Sequence, residues 1–430
     1  MHLTTHRLPG LVLTDHEFAV PLDHAEPNGE KISVFAREIV VPEKEKDDQP
    51  WLVFFQGGPG FGSPRPGSRS GWLKRALKEY RVLLLDQRGT GRSNPVTHQT
   101  LARLDTPQAQ ADYLTHFRAD AIVQDAESIR KELVGKDVPW SGLGQSYGGF
   151  CLTTYLSFAP EGLKEAILAG GLPSIERPAD DVYRAAYPRV FEKNERYFER
   201  YPEDAQRARE IVDYLDGHEV HLPNGERLSS RRFQQLGFSF GFSDGFEPVH
   251  YLLEGAFVEG SSGRELSYGF LRGFEKAQSF DTNPIYAILH ESIYCQQDES
   301  NWSAQRVRAE FPEFGLAPGK PVAFTGEMIY PWMFDEYEPL KALKEAAEIL
   351  AAYDGWPLLY DPEALQKNTV PCAAAVYYND MYVDRVQSEE TAQNIKGIKL
   401  WVTSKYEHNG LRSDGEVVLG RLLDMLHGEA

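Results

Sequence analysis

The chain is poor in cysteine. Its three residues of this type, Cys151, Cys295 and Cys372, lie far apart and form no C-x-x-C pair. That spacing excludes a disulfide framework and a cysteine-rich zinc module. Long hydrophobic runs are missing too: the longest apolar stretches are of strand length, far short of the ~18 residues of a membrane span. Positive charge is scarce, with 45 Lys and Arg against 64 Asp and Glu and a formal net charge of −19. Such a chain repels phosphate backbones and anionic membranes, and no local basic patch offsets this. Neither a nucleic-acid partner nor a membrane is therefore expected. The opening MHLTTHRLPG has no basic stretch leading into an apolar one, so a secretory signal is not expected and a cytoplasmic location is. What remains, 41% hydrophobic and 25% charged residues, suits a globular enzyme of one or two domains.

Residues 16–41 read as a β-hairpin turning at Pro27-Asn28-Gly29. Two short apolar runs follow, Trp51–Phe55 and Arg81–Leu85, each breaking into a glycine-bearing loop. Helical spacing covers 119–134, and a strand leads into Gly144-Gln145-Ser146-Tyr147-Gly148 ahead of a helix over 150–158. A further strand is expected at 165–169. Strands alternating with helices and apolar on both faces indicate a parallel sheet of the α/β class. From Arg177 to about Leu350 the pattern becomes mainly helical, with helices expected over 181–200, 203–215, 284–296 and 335–352 and a turn at Pro223-Asn224-Gly225. Alternation then resumes: a strand at 372–377, a helix at 388–396, a strand at 398–402 and a closing helix at 416–426. The expected organisation is an α/β core over 1–171 and 369–430, with a helical cap inserted over 172–368. No internal repeat is present.

Gly144-Gln145-Ser146-Tyr147-Gly148 fits G-x-S-x-G between a strand and a helix, the setting of a nucleophile elbow. Glycines two before and two after the serine permit a tight turn that exposes its Oγ. The same turn sets the Tyr147 backbone N–H at a helix start. A serine at its free pKa is a weak nucleophile, so a base and an orienting acid are required. In α/β-hydrolases they follow in the order Ser, acid, His. His218, His221, His250, His290, His408 and His427 come after Ser146, and of these His408 follows the last strand on a short loop. His427, at the end of the closing helix, reads as structural. His218 and His221 flank a turn with no carboxylate or cysteine pattern to complete a metal site, so no metal is expected. The acid is sought after the 372–377 strand, where Asp380 is the first choice and Asp384 the reserve; either also suits a turn. The loop Gly57-Gly58-Pro59-Gly60 has no Lys-Ser/Thr and no full G-x-G-x-x-G, so it is a poor phosphate cradle. Beside a catalytic serine it suits an oxyanion loop, with the Gly58 N–H as donor.

Three segments, Gln56-Gly57-Gly58-Pro59-Gly60, Asp86–Ser93 (DQRGTGRS) and Gly144-Gln145-Ser146-Tyr147-Gly148-Gly149, resemble the proline iminopeptidases, serine exopeptidases of the α/β-hydrolase fold. The Asp380 and His408 regions match in order and spacing. That family usually has a histidine before the first two glycines; here the residue is Gln56, as in the longer-chain branch. DQRGTGRS is common to many α/β-hydrolases, whereas the QGGPG and GQSYGG pair is more specific.

The resemblance implies a cap whose carboxylates hold the free α-amine of an N-terminal proline in small peptide substrates. Glu291, in LHESIY, and Glu327, in FTGEMIYPW, suit that role. An internal salt bridge or a helix-start carboxylate is the plain alternative for each. It also implies a Ser146–His408–Asp380 triad working through an acyl-enzyme, oxyanion donors at Gly58 and Tyr147, and no organic cofactor. Phe238, Phe240, Phe242, Tyr294, Trp332 and Phe334 are candidates for a proline pocket and equally for core. An esterase or amidase acting on uncharged acyl groups keeps the same triad, and a non-catalytic binding protein on the same scaffold is the third reading. Epoxide hydrolase or dehalogenase chemistry is disfavoured because a serine stands where those enzymes carry a carboxylate. Oligomeric state is left open.

Overall fold

Runs such as Trp51–Phe55 and Arg81–Leu85 offer no polar face to water, so they belong in a sheet covered on both sides. The computed structural model, which describes residues 4–261, 263–278, 280 and 282–429, places them there. Its strands are β1 (Thr4–Leu8), β2 (Leu11–Pro21), β3 (Lys31–Val40), β4 (Trp51–Phe55), β5 (Arg81–Leu85), β6 (Trp140–Gln145) and β7 (Leu163–Ala169). Then come a small pair, β8 (Phe257–Gly260) and β9 (Gly263–Leu266), followed by β10 (Cys372–Tyr377) and β11 (Lys399–Thr403). All but that pair join one sheet in the order β1-β2-β3-β5-β4-β6-β7-β10-β11. The β1–β2, β2–β3 and β3–β5 pairings are antiparallel, and every pairing from β5 to β11 is parallel. The chain runs outward from β4 to β5, then returns past β4 to β6. The carboxyl ends of β4 and β6 therefore flank a crevice where connections diverge, the usual place for a site in such sheets.

Helices Ala119–Leu133 and Tyr147–Phe158 cover one face, where Val53, Phe55, Ile122, Ile129, Leu152 and Tyr155 pack together. Helices Gly71–Ala76 and Gly415–His427 cover the other, against Phe54, Leu84, Leu73, Leu419 and Leu422. Between β7 and β10 lies the inserted layer, with helices Ala179–Arg200, Glu203–Gly217, Phe246–Glu254 and Tyr268–Ala277 and the antiparallel pair β8–β9. It has its own aromatic core, including Tyr187, Tyr197, Phe233, Phe240, Phe324 and Tyr337. Leu101, Leu114 and Phe117, earlier in the chain than Ser146, join that same cluster. No helix among the described residues is long and apolar enough to cross a membrane.

Two helices expected from periodicity are broken. The 284–296 stretch forms Pro284–Ile288 and a separate 3₁₀ turn, Glu291–Tyr294, because Leu289 leaves the helical region at φ −110°, ψ 6°. The 335–352 stretch becomes Met333–Glu336, Glu338–Lys341 and Lys344–Ala351. Pro339 explains the first break: it has no N–H to give the preceding turn, and its ring crowds the carbonyl four residues back. Strands β1, β8 and β9 lie where the sequence reading placed none.

The helix after β6 seats unusually deeply. A Cβ on Gly148 would lie 2.0 Å from the Phe55 carbonyl oxygen, and one on Gly149 would lie 2.3 Å from that of Gly171. Gly148→Ala is thus expected to lower the free energy of unfolding by about 3 kcal/mol, the upper range of overpacking. Gly217→Ala, at a helix end with nothing within 4 Å, is expected to raise it by roughly 0.5 kcal/mol. Urea unfolding midpoints of the two variants against the parent check the contrast.

Candidate active site

Ser146 sits in the turn between β6 and the helix Tyr147–Phe158, with φ 55° and ψ −125°. A non-glycine residue at positive φ is strained, and its neighbours hold it there. Its N–H donates to the Ala169 carbonyl at 3.0 Å, and its carbonyl accepts from Gly149 N–H at 2.7 Å. Gly144, Gly148 and Gly149 leave room for this turn; a Cβ on Gly144 would meet the Gly148 carbonyl oxygen at 2.3 Å. The serine hydroxyl is thereby aimed out of the sheet at its carboxyl edge.

The loop after β11 brings His408 to it. Ser146 Oγ lies 2.9 Å from His408 Nε2, and His408 Nδ1 lies 2.6 Å from Asp380 Oδ2. Since Asp380 accepts, the proton belongs on Nδ1, leaving Nε2 to accept from the serine. The other Asp380 oxygen accepts the backbone N–H groups of Tyr382 (2.8 Å) and Val383 (3.1 Å), which fixes the carboxylate in the turn after β10. Burial opposes a charge on His408, but the Asp380 carboxylate and its hydrogen bond outweigh it and hold the imidazole above its ordinary value. Asp384 is placed elsewhere: it caps the helix Arg385–Asn394 through Val386 and Gln387 N–H, and its second oxygen meets Arg189 Nε at 3.3 Å.

The remaining histidines stand apart from the serine. His218 and His221 bond to the Tyr214 and Gly225 carbonyls, His250 to Asp204, and His427 lies near Glu165. Among the described residues no group of His, Cys, Asp and Glu side chains gathers as metal ligands would.

Register brings the β4 loop alongside. Phe55 of β4 pairs with Gly144 of β6, so Gln56-Gly57-Gly58 leaves the sheet next to the serine turn. A Cβ on Gly57 would be 2.9 Å from the Ser146 Cβ. The backbone N–H groups of Gly58 and Tyr147 have no hydrogen-bond acceptor among the described residues. Both residues lie at the mouth of the serine turn, the latter at a helix N-terminus whose dipole favours negative charge.

A cavity of ≈ 640 Å³ opens over Ser146 and His408. Gln56, Gly58, Phe61, Phe238, Phe242, Tyr286, Tyr382 and Glu327 are among its walls. Glu327 comes from the inserted layer, and its side chain is 18% exposed. Its Oε1 accepts the Tyr286 hydroxyl, and its Oε2 lies 4.0 Å from His290 Nε2. Burial pushes Glu327 up to about 7, against the Tyr286 bond and the nearby His408. His290, fully enclosed, is pushed down to about 4 by burial and so offers no cation to balance it.

Glu291, the other expected amine-binding carboxylate, is placed differently. Its oxygens accept Ser303 N–H at 3.0 Å and Ala304 N–H at 2.8 Å, at the start of the helix Ser303–Arg308. It is absent from the cavity walls, and burial pushes it up to about 7 despite those bonds. It is a helix-start carboxylate. Of the aromatic candidates, Phe238 and Phe242 line the cavity, while Phe240, Tyr294, Trp332 and Phe334 are core.

The sequence reading missed Tyr286 and Tyr382, the latter with its ring 4.7 Å from that of His408. It also missed how the inserted layer grips the histidine loop. His408 N–H donates to the Gly241 carbonyl at 3.1 Å. Next to it, Glu407 accepts Lys193 Nζ at 2.5 Å, and Lys193 is 2% exposed. A buried ammonium requires such a partner. A lysine in an otherwise amphipathic helix gives no sign in sequence of facing inward.

The family model described as alpha/beta hydrolase fold matches residues 50–252. A proline iminopeptidase from Aeromonas sobria is 51% identical over 417 residues, covering 97% of this chain and 97% of that protein. Proline iminopeptidase aneH from Aspergillus aculeatus is 36% identical over 432 residues, covering 97% and 94%. The crystal structure of a proline iminopeptidase from Mycobacterium smegmatis aligns over 96% of this chain and 98% of its own, at 12% identity and a TM-score of 0.46, a likeness too loose to bear on chemistry.

The two aspartates should separate cleanly. Labelling of Ser146 by a fluorophosphonate probe is expected to slow by ~10³-fold or more in Asp380→Asn, because the imidazole loses its orienting acceptor. Asp384→Ala is expected to label at the parental rate and to lose about 1 kcal/mol of stability with its helix cap. Labelling time courses and denaturation curves check both.

Proposed function

The chain belongs to the proline iminopeptidases, hydrolases of the α/β-hydrolase fold, and from that membership we propose that it is a prolyl aminopeptidase, a serine exopeptidase releasing N-terminal proline from small peptides. The observation that carries the reading is Glu327, a carboxylate without a cationic neighbour of its own, facing the cavity of the Ser146–His408 pair.

In the reaction, His408 Nε2 takes the Ser146 proton as Oγ attacks the carbonyl of the first residue. The imidazolium that forms is supported by Asp380. Negative charge on the carbonyl oxygen meets the N–H groups of Gly58 and Tyr147, and losing one such donor typically costs ~10²–10³ in rate. His408 then protonates the leaving nitrogen, and the amine departs. Water, deprotonated by the same imidazole, attacks the acyl-enzyme and frees proline. Glu327 accepts the substrate ammonium, which is the feature that counts from the N-terminus: a mid-chain residue has no ammonium to offer. Phe238, Phe242, Tyr286 and Tyr382 supply apolar walls for the pyrrolidine ring.

Hydrolysis of a chromogenic prolyl amide tests this, alongside its N-acetylated counterpart and a simple acetate ester. Cleavage of the free-amine substrate alone among the two amides, abolished by Ser146→Ala, is the expected result. Glu327→Gln should raise KM for the prolyl amide by roughly 10- to 100-fold, the loss of a charge-assisted contact, and leave the ester unchanged. Turnover of the ester alone would leave a serine hydrolase and remove the peptidase.

The pH dependence has a definite sign. Glu327 must be ionised to hold an ammonium, and His408 must be neutral to accept the serine proton. Both are raised, Glu327 to about 7, so kcat/KM is expected to climb as pH increases through about 7. The two groups interact, so the limb belongs to the pair, and Glu327→Gln should simplify it to one ionisation. A pH–rate profile of parent and variant checks this.

A further inference from the structure

Among the charged residues of the cavity wall, Glu327 and His408 belong to the chemistry above, and one remains: Arg412. It lies on the short helix Gly410–Ser413, directly after the loop carrying His408. Its guanidinium carbon stands 5.0 Å from the centroid of Phe242, itself a wall residue, which holds the charge against the opening. The Arg412 side chain is 61% exposed where that of Glu327 is 18%. Thus the cavity holds a carboxylate inside and, at its mouth, a guanidinium paired with the exposed Asp244.

We propose that Arg412 receives the C-terminal carboxylate of the substrate, so that zwitterionic di- and tripeptides beginning with proline are the preferred class. This rests on the aminopeptidase reading. The geometry follows from the direction of the reaction. Glu327 takes the ammonium inside, Ser146 the carbonyl, and His408 hands its proton to the leaving nitrogen. The leaving residue therefore lies along the histidine loop, on the way to Arg412. In a dipeptide the carboxylate is on the residue adjoining the scissile bond, and each added residue carries it about 3.8 Å further out. Long peptides carry it past the mouth.

Two further features agree. Arg412 Nη2 now meets Asp244 Oδ1 at 2.7 Å, but both side chains are largely in water, where such a pair exchanges readily. Asp244 Oδ1 also accepts Asn409 Nδ2 at 3.0 Å, so it keeps a partner when Arg412 turns to substrate. Beside Trp72, the stretch Pro64, Pro66, Gly67, Ser68, Ser70 and Gly71 of the wall is small and uncharged. It offers no charged group to a leaving side chain, which leaves the terminus as the feature for Arg412 to recognise.

The experiment compares kcat/KM for L-prolyl-L-alanine, L-prolyl-L-alaninamide and a chromogenic prolyl amide. The parent is expected to favour the dipeptide over its amide by roughly three- to tenfold, with the ratio falling as salt is added. Arg412→Gln should bring the ratio to about 1, and Asp244→Asn, which releases the guanidinium, should raise it. If the chromogenic amide is cleaved but the parent shows no dipeptide preference, or Arg412→Gln leaves the ratio as it was, this inference alone is overturned. No turnover of any prolyl substrate overturns the aminopeptidase reading and this inference with it.

Discussion

The site depends on how closely the helix Tyr147–Phe158 approaches the end of β4. Contact between the Gly148 and Phe55 backbones leaves no space for a side chain, and so sets the depth of the helix. That depth puts the Tyr147 N–H next to the Gln56-Gly57-Gly58 loop and forces Ser146 into its positive-φ turn. A looser contact would move the Gly58 and Tyr147 N–H groups and the Ser146 hydroxyl relative to one another, and in the proposed reaction small misplacements of these groups are costly. Packing density and reaction geometry are here the same constraint.

Electrostatics completes what packing begins. Four strand ends supply the parts: β4 the glycine loop, β6 the serine, β10 Asp380 and β11 His408. Each side chain leaves a rigid parallel sheet at the same edge, which is why residues 262 positions apart meet within hydrogen-bond distance. The inserted layer adds a carboxylate that burial pushes up to about 7, and positions it in view of the same imidazole. Charge at the site is thus held in two places, at Asp380 by backbone donors and at Glu327 by a phenol.

Much of this was legible in the sequence. Parallel-sheet strands announce themselves as short apolar runs with no polar face, and β4, β5 and β10 begin and end where those runs do. Ser146 stood out because glycines flank it between a strand and a helix, and His408 because of its place after the last strand. The cap was harder. Beyond its two long helices the chain is broken into short ones, as at Leu289 and Pro339, and its aromatic residues are so numerous that composition cannot separate wall from core. Glu291 and Glu327 look alike in sequence, both acidic in apolar surroundings. What distinguishes them is where the chain returns: Ser303 and Ala304 fold back onto one, whereas the other is left facing a cavity. That is a property of three-dimensional closure, which a linear pattern does not record.

The grip of the inserted layer on the histidine loop has a bearing on traffic through the site. His408 N–H is bonded to Gly241, Asn409 to Ser243, and Glu407 to the enclosed Lys193. Swinging the layer aside like a lid would tear these bonds and carry the proton acceptor out of line. On the aminopeptidase reading, entry and exit would then go through the standing aperture, end first. A slack chain terminus can be threaded through it, whereas a folded domain is turned away by bulk alone. On the proposed reading, that bulk would keep the Ser146 hydroxyl from neighbouring proteins.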